Sequence, residues 1–91
     1  MKTIYKYEIE ITDKPESIEV PQRSEILRFG IQNHKLFVWI LVDTSDEYTL
    51  MLRFRIFGTG HPIPQDEPMR YMDSVEDRGF VWHIFKKDNK S

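Results

Sequence analysis

Polar and apolar residues alternate with a period of two along most of this chain, the periodicity of a strand with one buried face. In segment 5–12, Tyr5, Tyr7, Ile9 and Ile11 share one face, while Lys6, Glu8, Glu10 and Thr12 share the other. Asp13-Lys14-Pro15-Glu16 breaks the pattern. Ser17-Ile18-Glu19-Val20 resumes it as far as Pro21, which has no N–H to give to a sheet ladder. These two segments are expected to pair as a first hairpin. Farther on, Leu27, Phe29 and Ile31 alternate with Arg28, Gly30 and Gln32, and the polar Asn33-His34-Lys35 predicts a turn into a second hairpin. Segment 22–27 is the one place where a helical turn is an alternative.

Segment 36–42 is apolar at every position, as expected of a strand covered on both faces. A short buried helix has the same look, but the β-branched and aromatic content favours a strand. After the polar turn 43–47, Tyr48, Leu50, Leu52, Phe54 and Ile56 face one way, and Thr49, Met51, Arg53, Arg55 and Phe57 the other; this is the longest predicted strand. Segment 58–68 contains two glycines and three prolines and reads as a loop. Segment 70–76 reads weakly as a strand, Asp77-Arg78-Gly79 as a turn with glycine at a positive φ, and 80–85 as the last strand. The sum is an all-β fold of about seven short, mostly antiparallel strands, closed as a small sandwich or barrel.

At 91 residues the chain has room for one core, so residues 1–87 are expected to form a single β domain and 88–91 a polar tail. A domain this small buries only about 60–65% of its unfolded surface, which makes a homo-oligomer a reasonable way to cover more. With 40% hydrophobic and 13% aromatic residues, the chain has enough apolar material to fold. Cysteine is absent, which removes disulfides, thiolate nucleophiles and sulfur-bound zinc. No stretch approaches a membrane span and no leader is evident, so a soluble protein of the cytoplasm is expected. Thirteen basic and fifteen acidic residues are spread along the whole chain, a balance that favours neither a duplex-nucleic-acid nor an anionic-membrane footprint, so neither partner is expected.

Candidate chemistry concentrates in Gly58-Thr59-Gly60-His61-Pro62-Ile63-Pro64. Gly60 lets the backbone approach a ligand closely, and Thr59 and His61 can add hydrogen bonds. A rigid link between sheets is the competing role of this loop. It lacks the lysine and spacing of a phosphate-binding P-loop. Arg53 and Arg55, two residues apart on one strand face, could grip phosphate or carboxylate, or could pair with Glu8 or Glu10. Trp39 and Trp82 could stack on a ring or fill the core. His83 reads as a sheet-face histidine satisfied by a hydrogen bond. The three histidines have no ligand spacing, so neither a metal nor a cofactor is expected. No nucleophile with its base, and no carboxylate pair, is selected by the pattern, and an enzyme is not expected.

Two stretches resemble a family of small proteins of unassigned function encoded mainly by bacteriophages and prophages: 54–64, carrying GTGHPIP, and Phe80-Val81-Trp82-His83-Ile84-Phe85. Ile4-Tyr5-Lys6-Tyr7-Glu8-Ile9 and segment 36–43 fit as well, whereas the acidic turn Glu76-Asp77-Arg78-Gly79 departs from the family and leaves its turn type open. The resemblance implies a phage accessory protein acting in the cytoplasm of an infected cell, and it carries over no catalytic residue. By analogy with other small phage proteins, the expected role is counter-defence. The protein would be a homo-oligomer that sequesters a nucleotide-like immune signal, with Arg53, Arg55, Thr59, Gly60 and His61 on the phosphate side and Trp39 or Trp82 as stacking surface. The alternative partner is a host or phage protein, such as a defence protein, bound through a strand edge.

Overall fold

The computed structural model describes residues 1–88. It contains seven strands: β1 Lys2–Ile9, β2 Glu16–Pro21, β3 Glu25–Gln32, β4 Lys35–Asp43, β5 Thr49–Gly58, β6 Met69–Asp77 and β7 Phe80–Lys87. They form two antiparallel sheets, ordered β1-β4-β3 and β2-β5-β7-β6. Strand β1 lies beside β2 and β3 beside β6, but no backbone ladder joins the sheets, so the closure is a sandwich. The core lies between them and includes Ile9, Phe29, Val38, Ile40, Phe54 and Ile84. Phe29 and Phe54 meet across it edge to face at 5.6 Å, a geometry that adds to the area they bury.

The expected first hairpin does not exist. Strand β1 pairs with β4 and β2 with β5, because the link after Ile9 carries the chain from one sheet to the other. The first strand also starts earlier than expected and stops at Ile9, although Tyr7 and Ile11 still pack on the core. No helical turn forms at 22–27; β3 begins at Glu25. The β3–β4 hairpin is present, and Asn33 and His34, at φ 50° and 63°, give it the two left-handed residues of a type I′ turn. Arg78 and Gly79, at 51° and 85°, do the same between β6 and β7, which settles the turn type there.

Two register shifts explain where alternation misled. Strand β3 slips between Ile26 and Arg28, so Ile26 packs on the core and Leu27 is left 45% exposed. Strand β6 slips between Tyr71 and Asp73, which scrambles its period of two and explains its weak signal. Strand β4 buries Leu36, Val38, Ile40 and Val42, but Phe37, Trp39 and Leu41 are only half-buried on the outer face. What shields Phe37 and Trp39 is not another layer but long neighbouring side chains: Lys6 Nζ lies 4.3 Å from the Phe37 ring and the Arg28 guanidinium 5.7 Å from Trp39. Of the expected tail, Asp88 donates its N–H to the Pro68 carbonyl at 3.2 Å; residues 89–91 lie outside the described residues.

Candidate functional site

Strands β5 and β6 each run antiparallel to β7 between them, so they are parallel to one another, and the chain leaving β5 must travel back along the sheet to enter β6. Segment 59–68 makes that return. Its far end is anchored by Glu67, which accepts from Arg55 Nη1 at 2.6 Å and lies 3.2 Å from Lys87 Nζ. Burial raises the Glu67 carboxyl, but hydrogen bonds from Arg55 and Lys87 outweigh it and hold the group below its ordinary value. The loop therefore joins two strands of one sheet and is not the link between sheets that the sequence suggested.

The near half is a tight turn. The His61 N–H donates to the Gly58 carbonyl at 3.0 Å, and Gly60, at φ +88°, supplies the positive φ that a type II turn needs at its third position. The Thr59 N–H is taken by the Val81 carbonyl at 3.3 Å. The Gly58 N–H donates to His61 Nδ1 at 3.2 Å, so the neutral imidazole carries its proton on Nε2. Closeness here demands a glycine: a Cβ on residue 58 would lie 2.8 Å from His61 Cε1.

Around this turn the surface is concave. One cleft of about 220 Å³ is lined by Ile11, Thr12, Asp13, Ile56, His61 and Trp82. A wider one of about 590 Å³ lies between the Gly58–His61 turn and the β6–β7 turn, with Phe80 and Trp82 in its wall. Phe80 stacks on Trp82 with centroids 6.1 Å apart and planes 23° apart, and Trp82 meets the His61 ring edge-on at 6.4 Å. Phe80 is 65% exposed. An aromatic ledge therefore stands beside a fixed N–H donor.

On the outer face of the same sheet runs a chain of hydroxyls through an imidazole. Thr59 Oγ1 is 2.8 Å from His83 Nε2, His83 Nδ1 is 2.8 Å from Ser74 Oγ, and Ser74 Oγ is 2.8 Å from Tyr71 Oη. His83 is thus satisfied on both nitrogens. The β6 register shift makes this possible, because it returns Tyr71 and Ser74, three residues apart, to one face. Strict alternation puts them on opposite faces, so the cluster has no signature in the pattern of the chain.

Of the residues expected to form one site, Thr59, Gly60, His61 and Trp82 do gather at the end of β5 and β7. The Thr59 hydroxyl, however, faces His83. Arg53 and Arg55 lie on the outer face; Arg53 is exposed, whereas Arg55 is half-buried and compensated by Glu67, not by Glu8 or Glu10. Trp39 belongs to the other sheet, its indole against Gly30, and does not join them. Asp13 and Phe80 are the cleft residues that sequence reasoning passed over. Asp13 sits in a linker 48 positions before His61, and only an exposed aromatic directly after a turn marks Phe80.

Among the described residues no three histidine, aspartate or glutamate side chains come together as metal ligands, and no helix is long and apolar enough to cross a membrane. Neither the curated proteins nor the solved structures contain a match to this chain. One family model matches residues 1–91, and the chain belongs to that family, described as Domain of unknown function (DUF7352).

Proposed function

We propose that this chain is a non-catalytic binding protein that sequesters a nucleotide-like ligand at the end of β5 and β7, as a phage accessory protein acting against a host immune signal. The observation that carries the ligand class is the exposed Phe80 ring, stacked on Trp82 beside the His61 Nε2–H. Covering such a ring with a flat ligand is favourable by about 1–3 kcal/mol per stacked base. Phage origin and counter-defence are supported by the resemblance of the GTGHPIP and VWH stretches and by analogy alone. Arg53, exposed on the outer face of β5, is the expected arginine that remains for a phosphate on the ligand, while Arg55 already serves Glu67.

Native mass spectrometry of the protein with cyclic oligonucleotides and NAD-derived nucleotides tests this reading and reports any homo-oligomer in the same spectrum. An adduct released chemically intact, and weakened by Phe80→Ala, is expected. A ligand returned as a product would replace sequestration with turnover, and an unliganded spectrum across the panel would overturn the ligand reading. A second reading then takes precedence, that of a protein-binding module. Strand β1 is an eight-residue sheet edge with Ile4 54% and Tyr5 43% exposed, a template on which a partner strand can add.

A further inference from the structure

We infer that the smaller cleft selects the base of the ligand, and that the base is guanine or one with the same hydrogen-bonding edge; this rests on the nucleotide-binding reading above. The charges decide which part of a nucleotide enters. Among the described residues no lysine or arginine lines the cleft of Ile11, Thr12, Asp13, Ile56, His61 and Trp82, and the one charged group among them is the exposed carboxylate of Asp13. Arg55 borders the neighbouring cleft, but its guanidinium is bound to Glu67 at 2.6 Å. A phosphate here would meet like charge without a free counterion. An uncharged ring meets instead an apolar surface, Ile11 and Ile56, and the indole of Trp82.

The polar groups then set the edge. Because His61 Nδ1 is occupied by the Gly58 N–H, the neutral ring offers Nε2–H, a donor. Asp13, when ionised, offers only acceptors, and two of them. A base that satisfies both presents adjacent N–H donors to the carboxylate and a carbonyl oxygen to the imidazole. Guanine does this along its Watson–Crick edge: N1–H and the N2 amino group face a carboxylate as parallel charge-assisted bonds, and O6 accepts from the histidine. Adenine turns the lone pair of N1 toward the carboxylate, and uracil supplies a single N–H between two carbonyls. The wider cleft and the exposed face of Phe80 lie beyond this base, where a second ring of a cyclic oligonucleotide or NAD-derived nucleotide can stack while its phosphates remain in solvent.

Isothermal titration of the intact protein with guanosine, inosine, adenosine and uridine tests this without a phosphate in play. Guanosine is expected to bind about tenfold tighter than inosine, which lacks only the N2 amino donor, and tighter again than adenosine or uridine. In Asp13→Asn the preference for guanosine over inosine should collapse to within about twofold, with the circular dichroism spectrum and melting temperature unchanged. Adenosine or uridine binding as tightly as guanosine, or a preference that survives in Asp13→Asn, would overturn the guanine assignment and leave the nucleotide reading standing. Failure of all four nucleosides together with the nucleotide panel would overturn both.

Discussion

Gly58 and Gly60 are two residues apart in one turn, yet they are glycines for different reasons. Gly60 is needed for its backbone, at φ +88°, and a Cβ there would meet nothing within 4 Å. Gly58 is needed for its missing side chain, since a Cβ would lie 2.8 Å from His61 Cε1 and 3.2 Å from Trp82 Cζ3. Gly58→Ala is therefore expected to push the imidazole out of place and break its bond from the Gly58 N–H. Ligand affinity should fall at least about tenfold while stability drops by only about 1–2 kcal/mol, within the range for an added methyl group in a tight site. Calorimetry and thermal unfolding on the same sample separate the two effects. Full affinity in the variant would show that the His61 position does not matter. The sequence flagged both glycines, but only the contact distances assign them different roles.

At the scale of the element, turns were legible and registers were not. Polar clusters marked the β3–β4 and β6–β7 turns correctly, because asparagine, aspartate and glycine favour left-handed backbone locally. Arg78 is the residue that does not suit its place: it holds φ 51°, a region where a non-glycine residue other than asparagine or aspartate is strained. Its 3.5 Å contact with Asp77 is exposed and contributes little. Arg78→Asn should accordingly stabilise the protein by about 0.5–1 kcal/mol and raise the melting temperature by a few degrees. A lower melting temperature would mean that Arg78 makes a contribution beyond the turn. The register shifts in β3 and β6, by contrast, have no local signature. Ile26 and Leu27 are both apolar, and only the facing sheet decides which of them is buried.

Across the whole molecule, the sheets are held together by core packing and by ties at the periphery. His34 Nδ1, in the β3–β4 turn, lies 2.9 Å from Asp77 Oδ1 at the end of β6, joining the two sheets. Three carboxyls are held below their ordinary values: Asp77 by the hydrogen bond with His34 and then by Arg78, Glu67 by Arg55 and Lys87 against the effect of its burial, and Asp43 chiefly by the Ser45 hydroxyl and N–H. A carboxyl whose value is lower in the folded state than its ordinary 3.8 or 4.5 stabilises the fold above that ordinary value. That contribution is lost as pH falls further and the folded group takes up its proton. Urea unfolding should give a midpoint that is flat above about pH 5 and declines below it. Glu67→Gln and Asp77→Asn together should lower the midpoint at pH 7 and flatten the acid limb. An unchanged slope in the double variant would place the acid sensitivity elsewhere.

What the sequence determined by itself is the inventory: seven strands, their polar turns, the long proline-rich return after β5, and an all-β core. These follow from side-chain alternation and turn chemistry, which are properties of a few consecutive residues. Tertiary structure decided the partners. It separated β1 from β2, sent Trp39 to the opposite sheet from Trp82, gave Arg55 to Glu67, and set Asp13, His61 and Trp82 around one cleft. Each of those outcomes joins or parts residues at least a dozen positions apart, or parts elements that follow one another along the chain. Such choices turn on which long-range pairing buries the most apolar surface with its polar groups satisfied, and no local period records them.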